Sequence, residues 1–277
     1  MDWLCNIFGY LLNYIYTFVK NYGLALIIFS LITKIIMIPL SIKQHKTLKK
    51  SGKIQKELRE IQDKYSNDQE RLAQETMSLY KRENMSPFSG CLSSILQIVL
   101  LLAMFFLVRD PLTYMLKVPQ EKISEYENMI NTKSAYSEIE VIKEAKTNEN
   151  IDVDLNMDFL GIDLSNVLIS DFNNWTTYII PILYVSSSIL SIKLNSMTTQ
   201  GKKDKKENKN EKDKDKDDEE NPMEQMNKSM RLMMPIMSVM IAVAVPLGLA
   251  LYWLTNNILM IIEKLVLNKV YKDEEEA

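Results

Sequence analysis

The side chain best placed to do chemistry is Lys34, near the middle of the apolar run 23–42, GLALIIFSLITKIIMIPLSI. A helix of that length matches a bilayer hydrocarbon core of roughly 30 Å. An ammonium at that depth costs about 2.5–3.5 kcal/mol on insertion scales. Lys34 must therefore face water, a counter-charge or a polar cavity. No acidic residue falls in the apolar part of another candidate span, so water is the expected partner. The chemistry on offer is electrostatic, a solvated cation part-way through the bilayer that attracts anions.

Polar side chains at mid-depth in other apolar runs point the same way. Ser30 and Thr33 accompany Lys34; Ser94 and Gln97 share a helical face in the second run. Thr177, Pro181, Tyr184, Ser188, Ser191 and Asn195 trace a stripe on the third, and Thr255 and Asn256 lie in the last. Any one of these hydroxyls has an ordinary explanation, since serine and threonine bond their own helix backbone. Together they predict one hydrated groove lined by Lys34, Ser30, Thr33, Ser94, Gln97, Tyr184, Ser188, Ser191, Thr255 and Asn256. Met223, Met226, Met230, Met233, Met237 and Met240 recur at three and four residues. Their unbranched thioethers suit an adaptable apolar slide, which is assigned to Met233, Met237 and Met240 with Tyr252 and Trp253. The alternative for the methionines is plain packing or lipid contact.

Other chemistries find no support. Cys5 and Cys91 lie far apart and match no metal or redox spacing. Gly52-Lys53 lacks the upstream glycine of a phosphate-binding loop, and His45 sits in a basic stretch where solvent is expected. With no catalytic triad, paired carboxylates or metal-ligand cluster, no enzyme, cofactor or metal is expected.

These side chains need helices that cross a membrane to position them. The chain has 277 residues, 47 % hydrophobic, with a net charge of −3, averages that conceal long apolar runs between very polar ones. The expected fold is an all-α polytopic membrane protein with five transmembrane helices around a hydrophilic groove. An N-terminal interfacial amphipathic helix and a cytoplasmic helical hairpin complete it. The interfacial helix takes 1–22 on the external side, the first span 23–42 and the hairpin 43–86. The second span is 87–108, followed by an external acidic segment, 109–175, to which no chemistry is assigned. The third span is 176–195, then a disordered, charge-balanced loop, 196–228, unsuited to nucleic acid. The fourth span, 229–245, an external turn, 246–248, the fifth span, 249–268, and an acidic cytoplasmic tail, 269–277, end the chain.

Within the hairpin, Ile54, Leu58, Ile61 and Tyr65 repeat at helical spacing, as do Leu72, Thr76, Leu79 and Tyr80, with Ser66 or Asn67 as the expected cap. Lysines between 43 and 53 place this loop in the cytoplasm, which puts the N-terminus outside and the C-terminus inside. Glu263 shares a helical face with Tyr252, Asn256 and Leu259, but is assigned to the cytoplasmic end of the fifth span, within reach of headgroup water. MDWLCNIFGY has no basic n-region and no small-residue cleavage site, so no cleaved signal peptide is expected.

The order of these parts resembles the YidC family of membrane protein insertases, in its five-span, Gram-positive-like form. The resemblance is carried by the central cation followed by Ile38-Pro39-Leu40 and by Ser86-Pro87-Phe88-Ser89-Gly90-Cys91-Leu92 with Gln97. It is also carried by Gly248-Leu249-Ala250-Leu251-Tyr252-Trp253-Leu254-Thr255-Asn256-Asn257. It implies a groove open to cytoplasm and lipid, in a multi-pass protein of the bacterial cytoplasmic membrane. It implies nascent membrane proteins as partners, with the Sec translocon, the signal recognition particle machinery and the ribosome, the last through the hairpin from Lys43 to Arg82. The family's central residue is normally arginine, where this chain has Lys34. Some relatives bind ribosomes through a basic C-terminal tail, whereas this tail is acidic. The alternative from another class is a small secondary transporter or channel binding an anion at mid-membrane, against which stands the absence of an internal repeat.

Overall fold

The computed structural model describes the backbone of residues 2–66, 68–83, 89–170, 173–199, 233 and 237–276. Side chains are described at these positions except 48–53, 55–56, 89–94, 96–97, 195–199 and 271–276. The chain forms two compact units. One comprises Met1–Ile36, Leu100–Ile192 and Glu220–Val266; the other comprises Met37–Val99, Lys193–Glu219 and Leu267–Ala277.

In the first unit, α1 (Asp2–Val19) buries Cys5, Gly9, Leu12, Ile15 and Tyr16. Its opposite face exposes Trp3, Ile7, Tyr10, Tyr14 and Phe18. That aromatic face is what a helix lying at headgroup depth would present to lipid. Lys20 then takes a φ of 52° between the two helices, and Asn21 Oδ1 accepts from Leu24 N to cap the next one.

That helix, α2, runs from Tyr22 to Lys64 as 43 continuous residues with Pro39 inside it. The expected span 23–42 and the first arm of the expected hairpin therefore lie on one helix. The join is helical because the residues after Pro39 are mostly Lys, Gln, Glu and Leu, strong helix formers that outweigh one lost backbone bond. In the second unit, α3 (Gln69–Arg82) follows a short turn. Its cap is Asp68, whose Oδ1 accepts from Arg71 N at 3.0 Å, rather than Ser66 or Asn67. A carboxylate there adds charge–dipole attraction to the hydrogen bond. Ile54, Leu58 and Leu79 are buried, and Arg82 pairs with Glu57. His45, expected in solvent, is buried as well.

The helix α4 spans Ser89–Arg109. The segment after it is far more structured than an acidic loop. It folds as α5 (Pro111–Tyr114), α6 (Gln120–Met129), α7 (Ser137–Glu144) and a hairpin of β1 (Asp158–Phe159) with β2 (Ile162–Asp163). The expected all-α fold thus carries one small antiparallel hairpin, turning through Leu160 and Gly161 at positive φ. Ile123, Tyr126, Ile139, Val141, Ile142, Met157 and Leu164 are buried in one core with Leu12, Tyr22, Leu26 and Leu107. Short helices between 124 and 150 and a turn at 159–164 are legible in the sequence; the shared core is not, because its apolar residues fall singly among acids.

Short 3-10 turns lead to α8 (Ile179–Thr199), and α9 (Leu247–Glu276) closes the described chain. The acidic tail continues α9 as helix. Before it, 237–244 is helical, and Pro246 bridges Val167 while Gly248 N donates to Leu164 O at 2.9 Å. Among the described residues, three helices are long and apolar enough to cross a membrane, within Tyr22–Thr47, Trp175–Leu194 and Leu247–Val270. Ile98–Arg109 is a shorter apolar helix. The chain is therefore a multi-pass, essentially helical membrane protein. The charged loop beyond Thr199, the motif 86–88 and Met223, Met226 and Met230 lie outside the described residues.

Candidate functional site

Lys34 does not stand alone. Its Nζ lies 2.6 Å from Glu263 Oε2 of α9, and the two side chains are 24 % and 15 % exposed. This corrects the expectation of a cation served by water only. Glu263 falls within the candidate span Leu247–Val270, seven residues from its end. Pairing also explains how each charge is tolerated, because a buried ion left without its partner is far costlier than the pair. The signal in the sequence was its position on the face of Tyr252 and Asn256. Glu263 Oε1 is buried and has no hydrogen-bond partner among the described residues.

The neighbouring polar groups mostly look to their own helices. Buried Ser30 donates to Leu26 O at 2.8 Å, and Thr33 Oγ1 bonds Phe29 O at 2.9 Å. Thr255 Oγ1 donates to Leu251 O at 2.8 Å and Asn256 Nδ2 to Tyr252 O at 3.0 Å. Such back-bonding satisfies a polar group in an apolar setting while leaving oxygen lone pairs for a second partner.

Between α8 and α9 the polar contact is direct. Asn257 Nδ2 donates to Ser188 Oγ at 2.8 Å and approaches Ser187 Oγ at 3.3 Å. Ser188, Ser191 and Tyr184 are buried, and the Tyr184 ring lies 5.7 Å from that of Trp253. The third-span stripe therefore meets α9, and Asn257, which no site expectation included, ties the two helices. Trp253 Nε1 is buried without a partner among the described residues, and Tyr252 is partly buried. Met233, Met237 and Met240 are each more than half exposed. The side chains of Ser94 and Gln97 lie outside the described residues.

Chemically, the arrangement offers a neutral pair of opposite charges between two apolar spans, with amides and hydroxyls close by in sequence and exposed methionine thioethers. It holds no group of metal-binding residues among those described.

Comparison with known proteins places the chain in a family. The family model described as 60Kd inner membrane protein matches residues 14–275. The chain belongs to the YidC insertase family. A membrane protein insertase YidC from Fusobacterium nucleatum subsp. nucleatum is 27 % identical over 261 residues, covering 94 % of this chain and 93 % of that protein. One from Oceanobacillus iheyensis is 29 % identical over 259 residues, 91 % of this chain and 76 % of the relative. One from Syntrophus aciditrophicus is 26 % identical over 269 residues, but this chain spans only 37 % of its length. The resemblance read from the ordered motifs thus extends over nearly the whole chain, the folded segment after α4 included.

Proposed function

We propose that this chain inserts nascent membrane proteins into the bilayer, carrying a short hydrophilic segment of the client across through a hydrated groove. The observation that carries this reading is the Lys34–Glu263 pair inside apolar helices, where charge is expensive and ordinarily serves a pathway. A polar segment leaving water loses hydration at every unpaired group. A groove that holds water and Lys34 part-way through the membrane shortens the dry distance, and the ammonium draws carboxylates of the passing segment. Lone pairs on Ser30, Thr33, Thr255 and Asn256 supply further hydrogen bonds, with Ser94, Gln97, Tyr184, Ser188 and Ser191 completing the lining. The client's apolar helix meanwhile moves along Met233, Met237, Met240, Tyr252 and Trp253 into lipid. Insertion changes no covalent bond, so lipid partitioning, translation or the membrane potential supplies the drive.

In this reading the fold has five spans in the cytoplasmic membrane, with the N-terminus outside and the C-terminus inside. The basic charge after α2's apolar part supports that orientation. The hairpin from Lys43 to Arg82 is the contact for the ribosome or the signal recognition particle machinery, and the Sec translocon is a further partner. The alternative, a small secondary transporter or channel binding an anion, fits less well, because the sequence shows no internal repeat.

The test is reconstitution in proteoliposomes with clients whose translocated segment is acidic or neutral. Lys34→Ala is expected to impair the acidic client, while Lys34→Arg is tolerated because it keeps the charge. Equal insertion of the acidic client by all three proteins would contradict the proposal. Crosslinks from positions 188 and 256 to a stalled nascent chain would separate an insertase from a scaffold, which predicts none.

A further inference from the structure

We infer that Glu263 is an internal competitor for Lys34, a residue that sets how strongly the groove selects clients with acidic translocated segments. The inference rests on the proposed role of Lys34 and goes beyond it. A groove whose cation simply attracts client carboxylates needs no acid of its own; here one already sits 2.6 Å away.

The geometry suits an exchange. Glu263 commits Oε2 to Lys34 while Oε1 is buried and lacks a hydrogen-bond partner among the described residues. The carboxylate is thus held by one oxygen, without the second set of bonds that makes a buried ion pair firm. The side chain of Lys34 retains some exposure, so a second carboxylate can approach before the first departs. At rest Lys34 keeps a counter-charge, which avoids an isolated cation in the membrane. During transit a client aspartate or glutamate takes the place of Glu263, and Glu263 takes it back once the client has moved on. No free ammonium is needed at either stage. The selection is weaker than a bare lysine would give, since each acidic client must displace an acid already present.

The experiment uses the full chain in proteoliposomes and two clients that differ only in acidic or neutral residues of the translocated segment. The readout is the ratio of their insertion rates, which a merely structural role would leave unchanged. Glu263→Gln is expected to raise the acidic-to-neutral ratio about three-fold, the scale of a partly exposed ion pair. Glu263→Asp, whose shorter arm loosens the pair while keeping the charge, should give a smaller rise. It also decides the question if the glutamine variant does not fold. Ratios at or below wild type in the folded variants would overturn the inference. Lys34→Gln provides the control on the underlying reading. If it lowers the ratio while the Glu263 variants do not raise it, only the competitor role fails. If it leaves the ratio at the wild-type value, the role of Lys34 fails and the inference with it.

Discussion

Glu138 shows what a single side chain does in the segment after α4. It is 5 % exposed, and its carboxylate accepts from Leu112 N at 2.7 Å, Thr113 N at 3.1 Å and the Thr113 hydroxyl. It thereby caps the short helix α5 from a distant part of the chain. Burial pushes its acid up to about 7, the Thr113 bonds opposing this and the nearby Asp110 charge adding to it. The native state therefore holds a proton that the unfolded chain releases near pH 4.5. Glu138's contribution to stability is complete below that pH and is lost as pH rises toward about 7. Thermal unfolding in detergent is expected to show wild type losing stability across that interval, by on the order of 3 kcal/mol from this group. Glu138→Gln should flatten that part of the profile. The groove hydroxyls show the same scale from the sequence side: Ser30, Thr33 and Thr255 bond the Leu26, Phe29 and Leu251 carbonyls of their own helices, the ordinary behaviour of these residue types.

Elements meet where side chains permit close approach. A Cβ on Gly9 of α1 would stand 1.8 Å from the Tyr114 carbonyl oxygen at the end of α5, a backbone atom unable to swing aside. Gly9→Ala is expected to separate the two helices and cost about 1–3 kcal/mol, read as a lowered unfolding midpoint. The α8–α9 contact depends on Asn257 and Ser188. Asn257→Leu removes that bond from an apolar environment and should cost roughly 0.6–2 kcal/mol, with the same assay as the check. Periodicity identified these helices correctly as apolar and roughly of spanning length. It did not fix their ends, because α2 continues into the hairpin and α9 into the acidic tail where strong helix formers follow the apolar residues.

For the first unit as a whole, the core joins residues from α1, the start of α2, the end of α4, the segment after it and the start of α9. Tyr22 N donates to Asn156 O at 2.9 Å, and Asn156 N to the Tyr16 hydroxyl at 2.9 Å, so that segment grips the junction of α1 and α2. Replacing 119–150 by a flexible linker is expected to lower the unfolding midpoint of the protein by several degrees. An appendage that merely hangs from the spans would leave it unchanged.

The sequence by itself determined the class of the molecule. Lengths of apolar run, one intramembrane cation, basic residues after it and the ordered motifs were enough for a multi-pass membrane protein of the insertase family, because hydrophobic length and charge cost are local properties of a chain. Tertiary structure decided who partners whom. Lys34 with Glu263, Asn257 with Ser188 and Glu138 with Leu112 each join residues separated by many positions. Whether a charge is solvated or paired depends on which helix faces it, and linear spacing does not record that.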